Sequence, residues 1–323
     1  MKKYIILFAL VLSFFSCKKS NDKIQPKAEE IELSIEVDRY DKAFFETKPE
    51  NLAQLKAKYP DFFPPNVTDA FLKEKMQNKQ WRELYEEVEQ RYDNFNKQSK
   101  ELESVFKYMQ FYYPKFKVPK VYTVIQEMDM DYKTLYSSEK NALIISLELY
   151  LGKDHKFYEY PEYIRQTFEP SQMMPDVVQS ITEEAIKLPT DREFLSQMIY
   201  AGKQLYMKDI LLPEYSDEDK ICYTPEQLKW CNDSAAEIWL YFMEKKILYS
   251  TDPKKVQSFI APAPFSKFGY DDDSKTPGRV GAWVGWQIVR SFMENNPNVK
   301  PQQMFFMDAS EIFQKAKYKP AKK

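Results

Sequence analysis

Along most of the chain, apolar residues recur every three or four positions, the spacing that gathers them on one face of a helix. Trp81, Leu84, Tyr85, Val88 and Tyr92 form one such stripe. Leu102, Val105, Phe106, Met109 and Tyr113 form a second, which Pro114 ends. Phe194, Leu195, Met198, Ile199, Leu205 and Tyr206 mark a third helix, and Leu228, Cys231, Ala235, Ile238, Trp239 and Phe242 a fourth. Another begins near Arg279 and carries Trp283, Val284, Ile288, Val289 and Phe292. Two runs have strand character instead: the β-branched residues 121–125 after Pro119, and the apolar residues 143–149. Residues 31–37 alternate and predict a third strand. Neither a repeat nor a low-complexity linker follows residue 30. The pattern predicts a mainly α (α+β) fold, a single helical domain over 31–316 with a small antiparallel β-sheet.

The N-terminus breaks this pattern. Lys2 and Lys3 precede YIILFALVLSFF, residues 4–15. As a helix that run reaches about 18 Å, short of the ~30 Å hydrocarbon core of a bilayer. A cleaved export signal over 1–16 fits it better than a spanning helix. Ser16-Cys17 is the small residue and cysteine that bacterial lipoprotein processing needs, although Phe14 stands where the stricter motif has an aliphatic residue. Cys17 is therefore expected to carry lipid and to hold the chain on a membrane, with polar residues 17–30 as a flexible tether. At the other end, QKAKYKPAKK predicts a solvated basic tail over 317–323.

A 43% hydrophobic and 16% aromatic composition is ample for a core. Most aromatics fall on the helical stripes, which favours packing over carbohydrate stacking. A net charge of −2 leaves no footprint for nucleic acid. Besides Cys17 there are two cysteines, Cys222 and Cys231. Thr224-Pro225-Glu226-Gln227 reads as a helix start with a capping box, which puts the two thiols about 10 Å apart along the helix rise. A bridge needs Cα atoms within ~7 Å, so both are expected to be free.

Catalytic chemistry finds little support. The single histidine, His155, has no cluster of ligand-type residues at metal-site spacing and reads as a loop residue. A G-x-S-x-G elbow and a glycine-rich phosphate loop are both lacking. The expectation is a non-enzyme without metal or cofactor. Glycine placement is the most unusual feature: four of the six glycines lie between 269 and 285. Gly281 and Gly285, one turn apart, suit close helix packing. The sharper reading is a cleft or interaction surface built from Lys203, Lys267, Arg279, Gly281, Trp283, Gly285, Trp286 and Gln287. The neighbouring DDDSKT lacks the alternating ligands and central glycine of a calcium loop and reads as a solvated acidic loop.

Longer segments carry a resemblance. FLSQMIYAGKQLYMKDILLP (194–213), YTPEQLKWC (223–231), IWLYF (238–242), LYSTDP (248–253), APFSKFG (263–269) and PGRVGAWVGWQIVRSFM (277–293) are similar to the gliding motility lipoprotein GldB family of Bacteroidota. So are DRYDKAFFE (38–46), LKAKYPDFFP (55–64) and KYKP (317–320). The resemblance implies a lipid-anchored envelope protein needed for gliding, with protein partners in a machinery tied to type IX secretion. Lys18 and Lys19 after the cysteine favour an anchor facing the periplasm. A fainter likeness is to zincin-type metallopeptidases, in which two strands precede a helix bearing H-E-x-x-H. The helix expected near 174–187 has no histidine, so the likeness implies a degenerate zincin-like fold. A hydrolase with an unrecognised site and a glycan- or wall-binding module are the alternatives.

Overall fold

A computed structural model describes residues 25–320; the expected signal peptide and Cys17 lie outside the described residues. The first element is α1 (Gln25–Glu29), so the segment expected as tether over 17–30 is helical from residue 25. Next come β1 (Val37–Asp38) and five helices: α2 (Tyr40–Glu46), α3 (Leu52–Lys58), α4 (Asp69–Gln77), α5 (Lys79–Tyr92) and α6 (Asn96–Tyr112). Ala28 of α1 is fully buried, and its helix packs on α6. Local chemistry sets the starts of α4 and α5. Thr68 accepts from the Phe71 N–H, and Asn78 accepts from the N–H groups of Gln80 and Trp81. The first two apolar stripes are α5 and α6.

Three strands complete the sheet: β2 (Lys120–Val124), β3 (Thr134–Ser137) and β4 (Ala142–Ser146). Their order is β1-β2-β4-β3, with β1–β2 and β2–β4 parallel and β3–β4 antiparallel. The sheet is thus mixed, which corrects the expected antiparallel sheet. Connection length decides this. Five helices between β1 and β2 give the chain room to return in parallel, whereas β3 reaches β4 through a tight turn. That turn closes at Asn141, at φ +47°, whose N–H donates to the Ser138 carbonyl. The strand expected over 31–37 forms only at Val37, and the run 143–149 leaves the sheet after Ser146 to make a 3-10 turn, Leu147–Leu149.

The register gives the sheet two unlike faces. Val121, Thr123, Leu143 and Ile145 are fully buried. Tyr122, Ile144 and Leu135 are neighbours on the opposite face, where the first two are half-buried and Leu135 is exposed. After α7 (Glu162–Arg165), α8 (Met173–Ala185) runs along the outer edge of β3. Ser180 of α8 accepts from the Tyr136 N–H at 2.6 Å, and Thr134 donates to the Asp176 carbonyl at 3.0 Å. Lys133 fastens the same contact through its 2.6 Å ion pair with Asp176, a carboxylate that also accepts from the Tyr150 hydroxyl.

The C-terminal half is wholly helical: α9 (Phe194–Leu211), α10 (Asp217–Ile221), α11 (Pro225–Asp233), α12 (Ala235–Glu244), α13 (Pro253–Phe259), α14 (Val280–Asn295), α15 (Pro301–Phe306) and α16 (Ala309–Ala316). At its centre α9 and α14 pack backbone to backbone. A Cβ on Gly202 would stand 2.3 Å from the Gly285 carbonyl, and one on Gly285 only 1.8 Å from the Met198 oxygen. Asp209 then ties the seam together. It accepts from the Trp286 indole at 2.8 Å and from two guanidinium N–H groups of Arg290, and it pairs with Lys220 at 3.1 Å. Asp217 takes the remaining face of Arg290.

The expected fourth helix is two, α11 and α12, divided at Ser234. Asn232, Asp233 and Ser234 compete for backbone hydrogen bonds and favour ends over interiors. The predicted capping box is present: the Thr224 side chain accepts from the Gln227 N–H, and the Gln227 side chain accepts from the Thr224 N–H. Cys222 and Cys231 are free thiols, raised by burial to about 11 and about 12. In the expected tail Tyr318 packs edge-on against Trp239 at 5.4 Å. Among the described residues no helix is long and apolar enough to cross a membrane.

Candidate functional site

The residues nominated from sequence do not share a surface. Gly281, Trp283, Gly285 and Trp286 are buried in α14, where the glycines admit α9 and α13 and the rings fill the core. Arg279 holds the left-handed turn before α14, at φ +61°, and donates to the Ile221 carbonyl. Gln287 is half-buried and Lys267 exposed. In the acidic run, Asp273 accepts from the Gly269 N–H. Lys203 lies apart from these, buried on α9, where its ammonium donates to the carbonyls of Phe305 and Met307 at the end of α15. Burial lowers that amine to about 8. Lys203 also lines a cavity of about 370 Å³ beneath residues 187–191, but its two carbonyl partners give it a capping role there. His155 is in a loop, half-buried, 3.5 Å from Glu87. Among the described residues no group of three or more His, Cys, Asp or Glu could hold a metal ion. All five tryptophans are buried or half-buried.

A different site emerges on the open face of the sheet. Between that face and α2 and α4 runs a groove of about 380 Å³, within the range of ligand-binding clefts. Ile144 and Leu135 give it a floor, Tyr40 and Phe62 one wall, and Phe71 and Tyr132 its rims. Phe71, Tyr132 and Leu135 are 46%, 50% and 46% exposed, so three large apolar side chains converge on one concave surface. Such convergence marks interaction sites, whereas single exposed apolar residues are ordinary. The wall is itself ordered by ring contacts: Tyr40 stacks on Phe62 at 4.2 Å, and Phe62 touches Tyr122 of the sheet.

Polar groups sit at the inner end, beyond the C-terminal ends of the parallel strands, where open α/β sheets place their ligands. Asp41 is buried and held by Arg39 (Nε to Oδ1 2.9 Å, Nη2 to Oδ2 2.7 Å) and by the Thr123 hydroxyl. Lys75 lies over the Trp81 ring at 3.8 Å, and burial lowers its pKa. Close enough to act electrostatically on both is Glu148, fully buried, whose carboxyl has no side-chain partner. Burial pushes its carboxyl up to about 7. The outer lip is the segment between Gln126 and Tyr132. The Gln126 amide donates to the Ser146 hydroxyl at 3.2 Å, and that hydroxyl donates to the Tyr132 carbonyl at 2.8 Å, so both ends are pinned to the end of β4.

Sequence reasoning missed the groove, although six of its lining residues were in plain view. Tyr40, Asp41, Phe44 and Phe45 fall within 38–46, and Phe62 and Pro64 within 55–64, two of the segments that carry the family resemblance. Two aromatic-rich segments off the regular helical stripes were the available signal.

No curated protein and no solved structure matches the chain in comparison. A family model described as gliding motility protein GldB matches residues 21–320, so the match takes in the sheet, the groove and the helical half alike. By that match, the chain belongs to the gliding motility protein GldB family.

Proposed function

We propose that this protein is a lipid-anchored component of the cell envelope that supports gliding and the associated type IX secretion machinery through protein contacts, without catalysis. Membership of the GldB family supports the link to motility. The observation that carries the contact role is the groove: a concave surface with three large exposed apolar side chains, backed by a rigid sheet. Its walls offer area for a partner's side chains, and its lip and wall are held by hydrogen bonds and ring contacts before any partner arrives. Little ordering is then needed on binding, which favours affinity. In this reading Cys17 receives lipid after signal cleavage, and the acyl chains hold the domain at the periplasmic face of a membrane.

Complementation of a deletion strain tests both parts. Wild type restores spreading; Cys17→Ala and Leu135→Asp each fail to, with normal protein levels on immunoblots. Labelled palmitate enters the wild-type protein and not the Cys17→Ala variant. Full spreading of Leu135→Asp cells would remove the groove from the function, and full spreading of Cys17→Ala cells would remove the anchor.

A further inference from the structure

The lip of the groove carries a charge pattern that the contact role leaves unused. Between the pinned ends Gln126 and Tyr132 stand Glu127, Asp129 and Asp131, all exposed, and none makes an ion pair with a described residue. Asp129 accepts from the Asp131 N–H, which fixes the local turn, while Met128 and Met130 pack inward. The charges at the inner end are balanced. Arg39 pairs with Asp41 and Glu89, and the Lys75 ammonium lies over the Trp81 ring and faces Glu127 of the lip as well as Glu148. The charge left over, on Asp129 and Asp131, is therefore negative and lies on one rim, beside an apolar floor.

The geometry points to the partner: the groove takes a protein segment with apolar side chains flanked by lysine or arginine. This inference rests on the proposed contact role of the same groove. Apolar side chains would cover Leu135, Ile144 and Phe71, and the basic groups would meet Glu127, Asp129 and Asp131 in water at the rim. Rim charges of this kind steer encounter and fix orientation more than they add affinity, so binding should weaken as salt rises.

A random peptide library panned against the purified mature chain tests the chemistry directly. Selected peptides are expected to combine two or more apolar residues with an excess of Lys and Arg. Synthetic copies should bind at least tenfold more weakly to Glu127→Lys/Asp129→Lys/Asp131→Lys and to Leu135→Asp, both checked for folding by circular dichroism. Peptides without a basic excess, affinity unchanged in the charge-reversed variant, or no enrichment over the Leu135→Asp protein would each overturn the inference. Its failure is distinct from that of the contact role. Non-basic peptides together with lost spreading in Leu135→Asp cells would leave the role standing with another partner chemistry. Basic peptides together with normal spreading would sink the role in gliding while the groove kept its ligand preference.

Discussion

The seam between α9 and α14 and the groove on the sheet handle exposed chemistry in opposite ways. In the seam charge is met internally: glycine faces backbone, and Arg290, Lys220 and Trp286 all converge on Asp209. In the groove apolar surface is left open: Phe71, Tyr132 and Leu135 face solvent on one concave surface. Large apolar side chains that converge in water mark a surface that something else covers. The seam is where this molecule is stable, and the groove is where it is available.

Substitutions can break that contrast, and their effects should fall in order. Gly285→Ala should be the most damaging, because its Cβ lands on the Met198 oxygen and α9 cannot stay in place. A loss of about 4 kcal/mol, or failure to fold, is expected in urea unfolding. Asp209→Ala should follow with a loss of about 3 kcal/mol, since it leaves the buried Trp286 indole without its acceptor and Arg290 and Lys220 with Asp217 alone. Both experiments place the stability of the domain in the seam.

A buried carboxyl near Lys75 of the groove should answer with the opposite sign. Burial pushes the Glu148 carboxyl up to about 7, from the ordinary glutamate value of 4.5. Between those two pH values the unfolded chain releases a proton that the folded chain retains, so stability falls as pH rises through the window. Glu148→Gln should remove that fall. It should match wild type in unfolding free energy near pH 4.5 and exceed it at pH 8 by on the order of 2 kcal/mol. An equal offset at both pH values would show that the carboxyl is not held protonated by burial. The smallest effect on stability should come from Leu135→Asp, within about 0.5 kcal/mol of wild type, because Leu135 is half exposed on the open face. A large loss there would mean that the groove is part of the core and not a free surface.

Legibility in the sequence divides along the same line. The seam and its neighbours were readable because they rest on local periodicity: the stripes of α5, α6, α9 and α14, and the Thr224 capping box, each sit within a few turns of chain. Glycines at 281 and 285 predicted close packing as well as a cleft, and only the neighbour Met198, more than eighty positions away, decides between them. The groove has only a faint local signature, the aromatic residues within 38–46 and 55–64. Its walls come from α2, the 3-10 turn Pro60–Phe62, α4, β3 and β4, which a crossover of five helices brings together. β3 itself is four residues, TLYS, too short for alternation to stand out from a loop. The mixed sheet escaped for the same reason, since parallel pairing is a property of long connections and not of the strands.

The closure of β3 by α8 limits how any partner can approach. Ser180 already occupies the Tyr136 N–H and Glu184 the Ser138 N–H, backbone groups that an incoming strand would need, and β1 is only two residues long. Main-chain pairing, which binds extended peptides with little regard to their sequence, is thereby withheld. Recognition is left to side chains meeting a side-chain surface, so a partner here should be discriminated by composition, and one substitution on either molecule could silence the encounter.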